Sequence, residues 1–327
     1  MSGLFCPPCC RRVPQYTKRG RIYMRLKENK TFSYAKYGYL FSIPFVIAYA
    51  VFWLYPTAYT CILGFTDCKG IGMTNWHFLK GDIWKNFRTI LNNPTFHTSL
   101  KNTVLIWIMN FIPQITLALL LTAWFTSRRT KIRGQGFFKV VFYMPNIITA
   151  ATVAILYNVL FAYPKGPIND ILVTLGLRSD AYYFLNDMTA SKWIVAFIQF
   201  WMWYGYTMII LIAGVLGINP EIYEAAEIDG ASDWQSFWRI TLPNLRTILI
   251  YTLITAMIGG LTMYDIPKMF NNGNPNNSTL TASVFIYNQA FAGSYMYARA
   301  AAASMIMFVI IAVCSIFVFL LMRDRNK

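Results

Sequence analysis

The chain has 327 residues, of which 56% are hydrophobic, 17% aromatic and only 13% charged. Soluble domains carry about a quarter charged residues, so this composition excludes an ordinary water-soluble globule and points to the bilayer as solvent. The net charge of +16 would suit a nucleic-acid binder, but the basic residues lie outside the apolar runs, where they mark orientation, and no nucleic-acid partner is expected.

Residues 1–36 read as a basic tail with Arg11, Arg12, Lys18, Arg19, Arg21, Arg25, Lys27, Lys30 and Lys36. Its Cys6, Cys9 and Cys10 form a tempting C-x-x-C, but a zinc site needs four ligands and no second pair follows. Met24 opens "MRLKENK", and the residues before it read as an extension. The basic stretch leads straight into an apolar run, so no cleavable signal peptide is expected.

Six apolar runs follow, near Tyr37–Phe65, Leu100–Phe125, Phe137–Tyr163, Trp193–Ile218, Thr247–Phe270 and Ala298–Met322. A helix of about 20 such residues crosses roughly 30 Å of hydrocarbon. The predicted fold is therefore an all-α integral membrane protein with six transmembrane helices over residues 37–322 and a short tail at 323–327. Prolines interrupt the first run at Pro44 and Pro56, the second at Pro113 and the third at Pro145. Membrane helices tolerate such breaks when neighbours satisfy the freed carbonyls. A large soluble helical core is the alternative, and six separate long runs weigh against it.

Lys and Arg set the orientation. Arg128, Arg129, Lys131 and Arg133 lie between runs two and three, and Arg323, Arg325 and Lys327 follow run six. With six crossings these segments share a side with the basic tail, so both termini are expected in the cytoplasm. The loops Thr66–Ser99, Pro164–Lys192 and Asn271–Tyr297 then lie outside.

The segment joining runs four and five, "EIYEAAEIDGASDWQSFWRITLPNL", breaks the orientation pattern. Glu221, Glu224, Glu227, Asp229 and Asp233 outnumber Arg239 and Arg246. Its chemistry predicts helix, turn, helix. Asn219 caps, Pro220 suits the first helical position and Glu221 favours the first turn. Gly230 supplies a left-handed stop. Ser232 with Gln235 forms a capping box. Trp234, Phe237, Trp238 and Thr241 fall at i, i+3, i+4 and i+7, on one predicted face, and Pro243 ends the helix. The element reads either as a docking knob or as a loop resting on its own bundle.

Glu224-Ala225-Ala226, three residues, Gly230, nine residues, then Ile240-Thr241-Leu242-Pro243 resembles the signature loop of type I ABC importer permeases without a gap. The flanks, and "YDIPKMFNNGNPNNSTLTASVFIYNQAF" downstream, resemble the carbohydrate-uptake branch of the maltose and glycerol-phosphate type. That branch more often has T-x-G-G-P where Asn271-Asn272-Gly273-Asn274-Pro275 stands here, which bears on the turn's conformation. The likeness runs from about Tyr37 to the end.

The resemblance implies that residues 219–245 seat in a groove on a cytoplasmic ATPase subunit, and that closure of the ATPase dimer on ATP moves the helices and switches the cavity from inward to outward access. Glu224 would pair with a basic group there, Ala225 and Ala226 would allow close backbone approach, and Gly230 would permit the bend, with Ile240, Leu242 and Pro243 completing the element. It also implies a second homologous permease subunit, an extracellular or periplasmic solute-binding protein and a multi-pass location in the cell membrane.

No G-x-x-x-x-G-K-[ST] phosphate loop is present, so ATP and Mg are expected on partner subunits and this chain needs no cofactor. His77 and His97 are too few for a zinc site, no G-x-S-x-G elbow exists, and no enzyme reading stands. In run four, "QFWMWYGY" offers aromatic faces for a sugar ring and an amide for its hydroxyls. The candidates for the cavity are Gln199, Trp203 and Tyr206, while Trp201 and Tyr204 point elsewhere. An aromatic belt is the alternative, and a mid-run position weighs against it. The resembled family lines its cavity from the matching part of this helix. Gly259 and Gly260, with Thr262, offer close backbone approach to the pathway or small-residue helix packing. Asp265 and Lys268 read as a local interfacial pair. Two functional readings remain: the permease half of a sugar importer, with glycerol phosphate or a polyol as variant cargo, or a stand-alone channel or scaffold whose loop binds another partner.

Overall fold

The computed structural model describes residues 35–70, 76–127, 133–293 and 295–323. Cys6, Cys9, Cys10, the tail basics before Lys36, and Arg128, Arg129, Lys131, Arg325 and Lys327 lie outside the described residues. Among the described residues the regular structure is helical, with one isolated bridge between Thr66 and Phe78. The chain divides into two units, Met1–Thr57 and Ala58–Lys327.

In the first unit, α1 (Ala35–Tyr49) passes through a π turn (Ala50–Leu54) into α2 (Tyr55–Leu63), which continues into the second. Phe41 and Phe52 are 84% and 81% exposed, and a helix apolar all round requires lipid or protein about it.

The second unit adds α3 (Lys85–Leu91), α4 (Pro94–Thr126), α5 (Gln135–Tyr143), α6 (Ala150–Leu160), α7 (Pro167–Thr174) and α8 (Met188–Leu216). The loop helices α9 (Pro220–Ile228), α10 (Asp233–Ser236) and α11 (Leu242–Asn244) follow. Then come α12 (Arg246–Leu261), α13 (Asp265–Asn271), α14 (Ala282–Phe291) and α15 (Tyr297–Met322). Among the described residues five stretches are long and apolar enough to cross a bilayer: Lys36–Leu63, Pro94–Thr126, Met188–Leu216, Arg246–Asn271 and Tyr297–Met322.

The third expected span is not one straight helix. Gln135–Ile147 and Ala150–Leu160 meet at 86°. Pro145 lies in a 3-10 turn at Met144–Ile147 and brings no N–H, and Thr149 then caps α6 by accepting from the Thr152 N–H. At 1.5 Å per residue neither limb covers roughly 30 Å alone.

Two other prolines are absorbed rather than obeyed. Pro243 was expected to end its helix, yet the chain stays helical through α11 into α12, with a single turn residue at Leu245. The π turn at Phe237–Thr241 ends two residues before Pro243, as the one at Ala50–Leu54 does before Pro56. In both, the residue preceding proline donates to the carbonyl five back: Leu242 to Phe237, Tyr55 to Ala50. The wider turn relieves the clash between the proline ring and the carbonyl four back.

α4 and α8 form the spine. Toward one end Ala118, Leu121 and Phe125 pack on Tyr204, Met208 and Leu211. Toward the other, Ile106, Val153, Ile198, Met202, Ile266 and Phe270 form a second core. α8 also lies directly on α5, because a Cβ on Gly205 would sit 2.0 Å from the Phe142 carbonyl oxygen.

The Asn-rich turn is tightly bound. Asn272, Gly273, Asn276 and Asn277 all take positive φ, which Asn and Gly tolerate best. Thr279 donates to Asn271 Oδ1 at 2.6 Å and to the Asn274 carbonyl at 3.0 Å. This departure from T-x-G-G-P is a built turn with exposed asparagines at its rim. The expected pair Asp265–Lys268 does not form: Lys268 donates to Asn288 Oδ1 at 2.9 Å and lies 4.7 Å from the Tyr287 ring centre. A neutral acceptor with a ring face holds the ammonium there, and Asp265, exposed in the first turn of α13, favours the helix N-terminus instead.

Candidate functional site

Two places answer to the candidate residues, one at an end of the spine and one at its middle.

At the end is the loop 219–245. Asn219 Oδ1 accepts from the Glu221 N–H at 3.1 Å and opens α9. Gly230 has φ +78, and a Cβ there would meet nothing within 4 Å. Glycine is therefore demanded by the backbone and not by crowding inside this chain. Both halves of the capping box are made: Gln235 N–H to Ser232 Oγ at 3.3 Å and Ser232 N–H to Gln235 Oε1 at 2.9 Å. Tyr223 Oη and Thr241 Oγ1, 2.9 Å apart, brace the first helix against the second.

The predicted single face of the second helix divides. Phe237 and Thr241 are buried, whereas Trp234 and Trp238 stack edge-on at 5.4 Å and stay exposed. Trp234 and Trp238 keep their i, i+4 relation on the outside while Phe237 and Thr241 turn inward, so the four residues do not share one face. Of the signature residues, Glu224, Ala225, Gly230 and Pro243 are exposed, Ala226 is buried, and Ile240 and Leu242 are half-buried. Ile228, beside the bend, is 88% exposed. The loop thus presents Glu221, Glu224, Glu227 and a bare isoleucine to whatever lies beyond the bundle.

At the middle is a cavity of about 130 Å³ between α4, α8 and α12. Gln199, Trp203, Tyr206, Gly259 and Gly260 all line it. Tyr204 is buried in the core, as expected for a neighbour pointing away. The Trp203 and Tyr206 rings lie edge-to-face at 5.7 Å, and among the described residues the Gln199 side chain makes no hydrogen bond. The two glycines differ. A Cβ on Gly260 would sit 2.0 Å from the Trp107 ring, so Gly260 is a packing residue, whereas a Cβ on Gly259 would meet open space. Thr262 lies instead on a separate apolar groove of about 680 Å³ with Ile258, Tyr287 and Ser315.

Asn110, Gln114, Thr207, Thr252 and Thr255, with Ala256, complete the lining and escaped the sequence reading. Gln114 donates to Thr207 Oγ1 at 2.8 Å, and Thr207 donates to the Trp203 carbonyl at 3.2 Å, tying α4 to α8. Thr252 and Thr255 donate back to the carbonyls of Ile248 and Tyr251, both at 2.8 Å. Their oxygens, with the amide oxygens of Asn110 and Gln114, still accept. Polar Asn110 and Gln114 on either side of Pro113 within an apolar run were the available signal. The lining holds no charged side chain. It suits a neutral, hydrogen-bonding solute with an apolar face.

Residues 102–326 match the family model described as binding-protein-dependent transport system inner membrane component. The chain is similar to the lactose transport system permease protein LacF of Rhizobium radiobacter, 32% identical over 88% of this chain and 95% of that one. It is similar also to the arabinooligosaccharides transport system permease protein AraP of Bacillus subtilis, 30% identical over 80% of this chain and 81% of that one. In architecture it resembles the crystal structure of a bacterial ABC transporter that imports alginate, with TM-score 0.75, 23% identity, and 90% and 98% of the two chains covered. The capped acidic loop and apolar spans thus belong to a recognised kind of molecule: the chain is a member of the family of binding-protein-dependent transport system inner membrane components, a multi-pass protein of the cytoplasmic membrane.

Proposed function

We propose that this chain is a permease subunit of a sugar importer. With a second homologous permease it forms the path for a neutral mono- or oligosaccharide delivered by an extracellular or periplasmic solute-binding protein. An ABC ATPase dimer, which binds the ATP and Mg, drives it from the cytoplasmic side, and the permease itself carries no cofactor. Both termini and the 219–245 loop face the cytoplasm.

One observation carries the reading: an exposed acidic loop, held open by left-handed Gly230 and tipped by Ile228, on a chain that has no phosphate loop of its own. Glu224 supplies the charge for a basic groove, Ile228 the apolar anchor, and Ala225 the flat surface on which another backbone can rest. Ala226 faces inward and holds α9 to the bundle. Ile240, Leu242 and Pro243 carry the loop into α12.

The cavity supports a sugar. The named cargo of LacF is lactose and that of AraP is arabinooligosaccharides. Gln199, Asn110 and Gln114 would hydrogen-bond hydroxyls, and the Trp203 ring would stack on an apolar sugar face. A phosphate ester calls for Arg or Lys, and the lining has neither. At about 130 Å³ the cavity falls below the roughly 300–1,000 Å³ of complete ligand sites, in keeping with a second permease supplying the opposite wall.

Purification of the tagged chain from its native membrane, followed by uptake in proteoliposomes, tests the reading. An ATPase and a second permease should copurify, and uptake of the sugar that stabilises the cognate binding protein against heat should require ATP. Uptake without an ATPase would leave the channel or scaffold reading.

A further inference from the structure

α4 is 33 residues long, about 50 Å at 1.5 Å per residue, and it touches three places of consequence. Near its start, buried Asn102 donates to the carbonyls of Asn277 at 2.6 Å and Leu280 at 3.3 Å, and Thr103 Oγ1 accepts from the Ala282 N–H at 2.9 Å. These bonds join α4 to the Asn-rich turn. At its middle, Asn110 and Gln114 line the cavity on either side of Pro113. At its end, Ser127 donates to Asp233 Oδ2 in the first turn of α10, and Gln135 donates to the Phe125 carbonyl. The Asn-rich turn and the acidic loop therefore hold opposite ends of one helix, with the solute cavity between them.

We propose that α4 is the strut that couples the two faces, with Ser127 and Asn102 as positioning residues at its end joints and Pro113 as the flexure beside the cavity. This rests on the reading of 219–245 as an ATPase-docking loop. Pro113 leaves the Met109 carbonyl without its helical donor, so a bend there breaks no further bond in the ladder. A push on α10 is delivered by the Ser127–Asp233 bond to the end of α4. The core that binds Leu121 and Phe125 to Met208 and Leu211 keeps α4 from slipping past α8. At the far end the motion reaches a turn already fixed by Thr279 and by four positive-φ residues, so it moves as a block. The inner and outer ends would then change together, through bonds that no cavity residue makes.

The test uses the complete complex of permeases, ATPase and binding protein in nanodiscs, with the chain's own cysteines replaced by alanine. Asn274, exposed in the turn, is changed to Cys and labelled with a membrane-impermeant maleimide, with and without MgATP plus vanadate as the probe. The parent should change labelling rate at least about fivefold on trapping, the lower end of measured allosteric couplings. Ser127→Ala should bring that ratio below about twofold while MgATP hydrolysis and subunit assembly persist. Asn102→Leu should do the same, and Ser127→Thr should restore the response. The double variant should lose no more than either single one, as expected for two joints in one path. A parent-like ratio in Ser127→Ala and Asn102→Leu would overturn the strut while leaving the docking reading intact. Absence of any nucleotide response in the parent would overturn both.

Discussion

The acidic loop and the membrane cavity are built by opposite means. The loop is made from neighbours in sequence: a cap at Asn219, a stop at Gly230, a box from Ser232 to Gln235, each closing within three or four residues. The cavity is made from three helices whose residues lie up to about 150 positions apart, from Asn110 to Gly260. The loop is mostly exposed and shaped by its own caps, with Ala226, Phe237 and Thr241 buried, whereas the cavity exists only while α4, α8 and α12 stay packed. A change in the loop should therefore cost function without stability, and a change around the cavity should divide according to which way the residue faces.

The largest expected effect breaks the loop alone. Gly230→Val forces a β-branched residue to φ +78 and alters the exposed bend, while among the described residues a Cβ there meets no packed neighbour within 4 Å. ATP-driven uptake should fall by between about 5- and 150-fold, the range of a lost coupling free energy. The melting temperature of the purified chain should stay close to that of the parent. A large fall in melting temperature would mean that the loop is structurally continuous with the core.

The glycine pair sharpens the other half of the comparison. Gly260→Leu drives a side chain into the Trp107 ring and should destabilise by about 1–3 kcal/mol, read as a lower melting temperature. Gly259→Leu points into open cavity and should leave the melt unchanged while raising the KM for sugar uptake. Equal behaviour of the two would deny that they face different ways.

Gln114→Leu removes the bond to Thr207, which keeps its own bond to the Trp203 carbonyl. The expected loss is about 1 kcal/mol of stability together with weaker uptake, measured by melting and by transport kinetics.

The smallest effect belongs to a residue outside both regions. Asp187 caps α8, and the Tyr182 hydroxyl together with the N–H groups of Ala190 and Thr189 holds its carboxyl below the usual range. A depressed folded pKa contributes stability that is fully present above the unfolded value, near 3.9, and is lost as pH falls through the folded one. Asp187→Asn keeps the cap but should flatten the acid limb of a melting-versus-pH curve below about pH 4.

The same contrast explains what could be read from residues alone. Caps and bends depend on spacings of a few residues, so Ser232, Gln235 and Gly230 announced themselves. Hydropathy located the spans, but it is blind to direction: Pro145 signalled a break without revealing that the two limbs would turn through 86°. Periodicity placed Trp234 beside Trp238, and the two rings do stack, but spacing could not show that Phe237 and Thr241 alone would be covered by the bundle. In the cavity, the α8 aromatics were evident as a cluster. Thr207, Thr252 and Thr255 were not, since a threonine bonded to its own helix is unremarkable until another helix is placed against it.

The proline that failed to end its helix has a practical consequence. Because the backbone stays helical from Asp233 past Pro243 to Leu261, interrupted only at Leu245, the acidic loop, on the proposed docking reading, would be the handle of a lever whose shaft carries Thr252, Thr255 and Gly259. Grafting residues 219–245 onto another transporter would transfer the grip without the shaft. An exchange of motor proteins between systems should therefore succeed only when the transplanted segment runs on through Leu261.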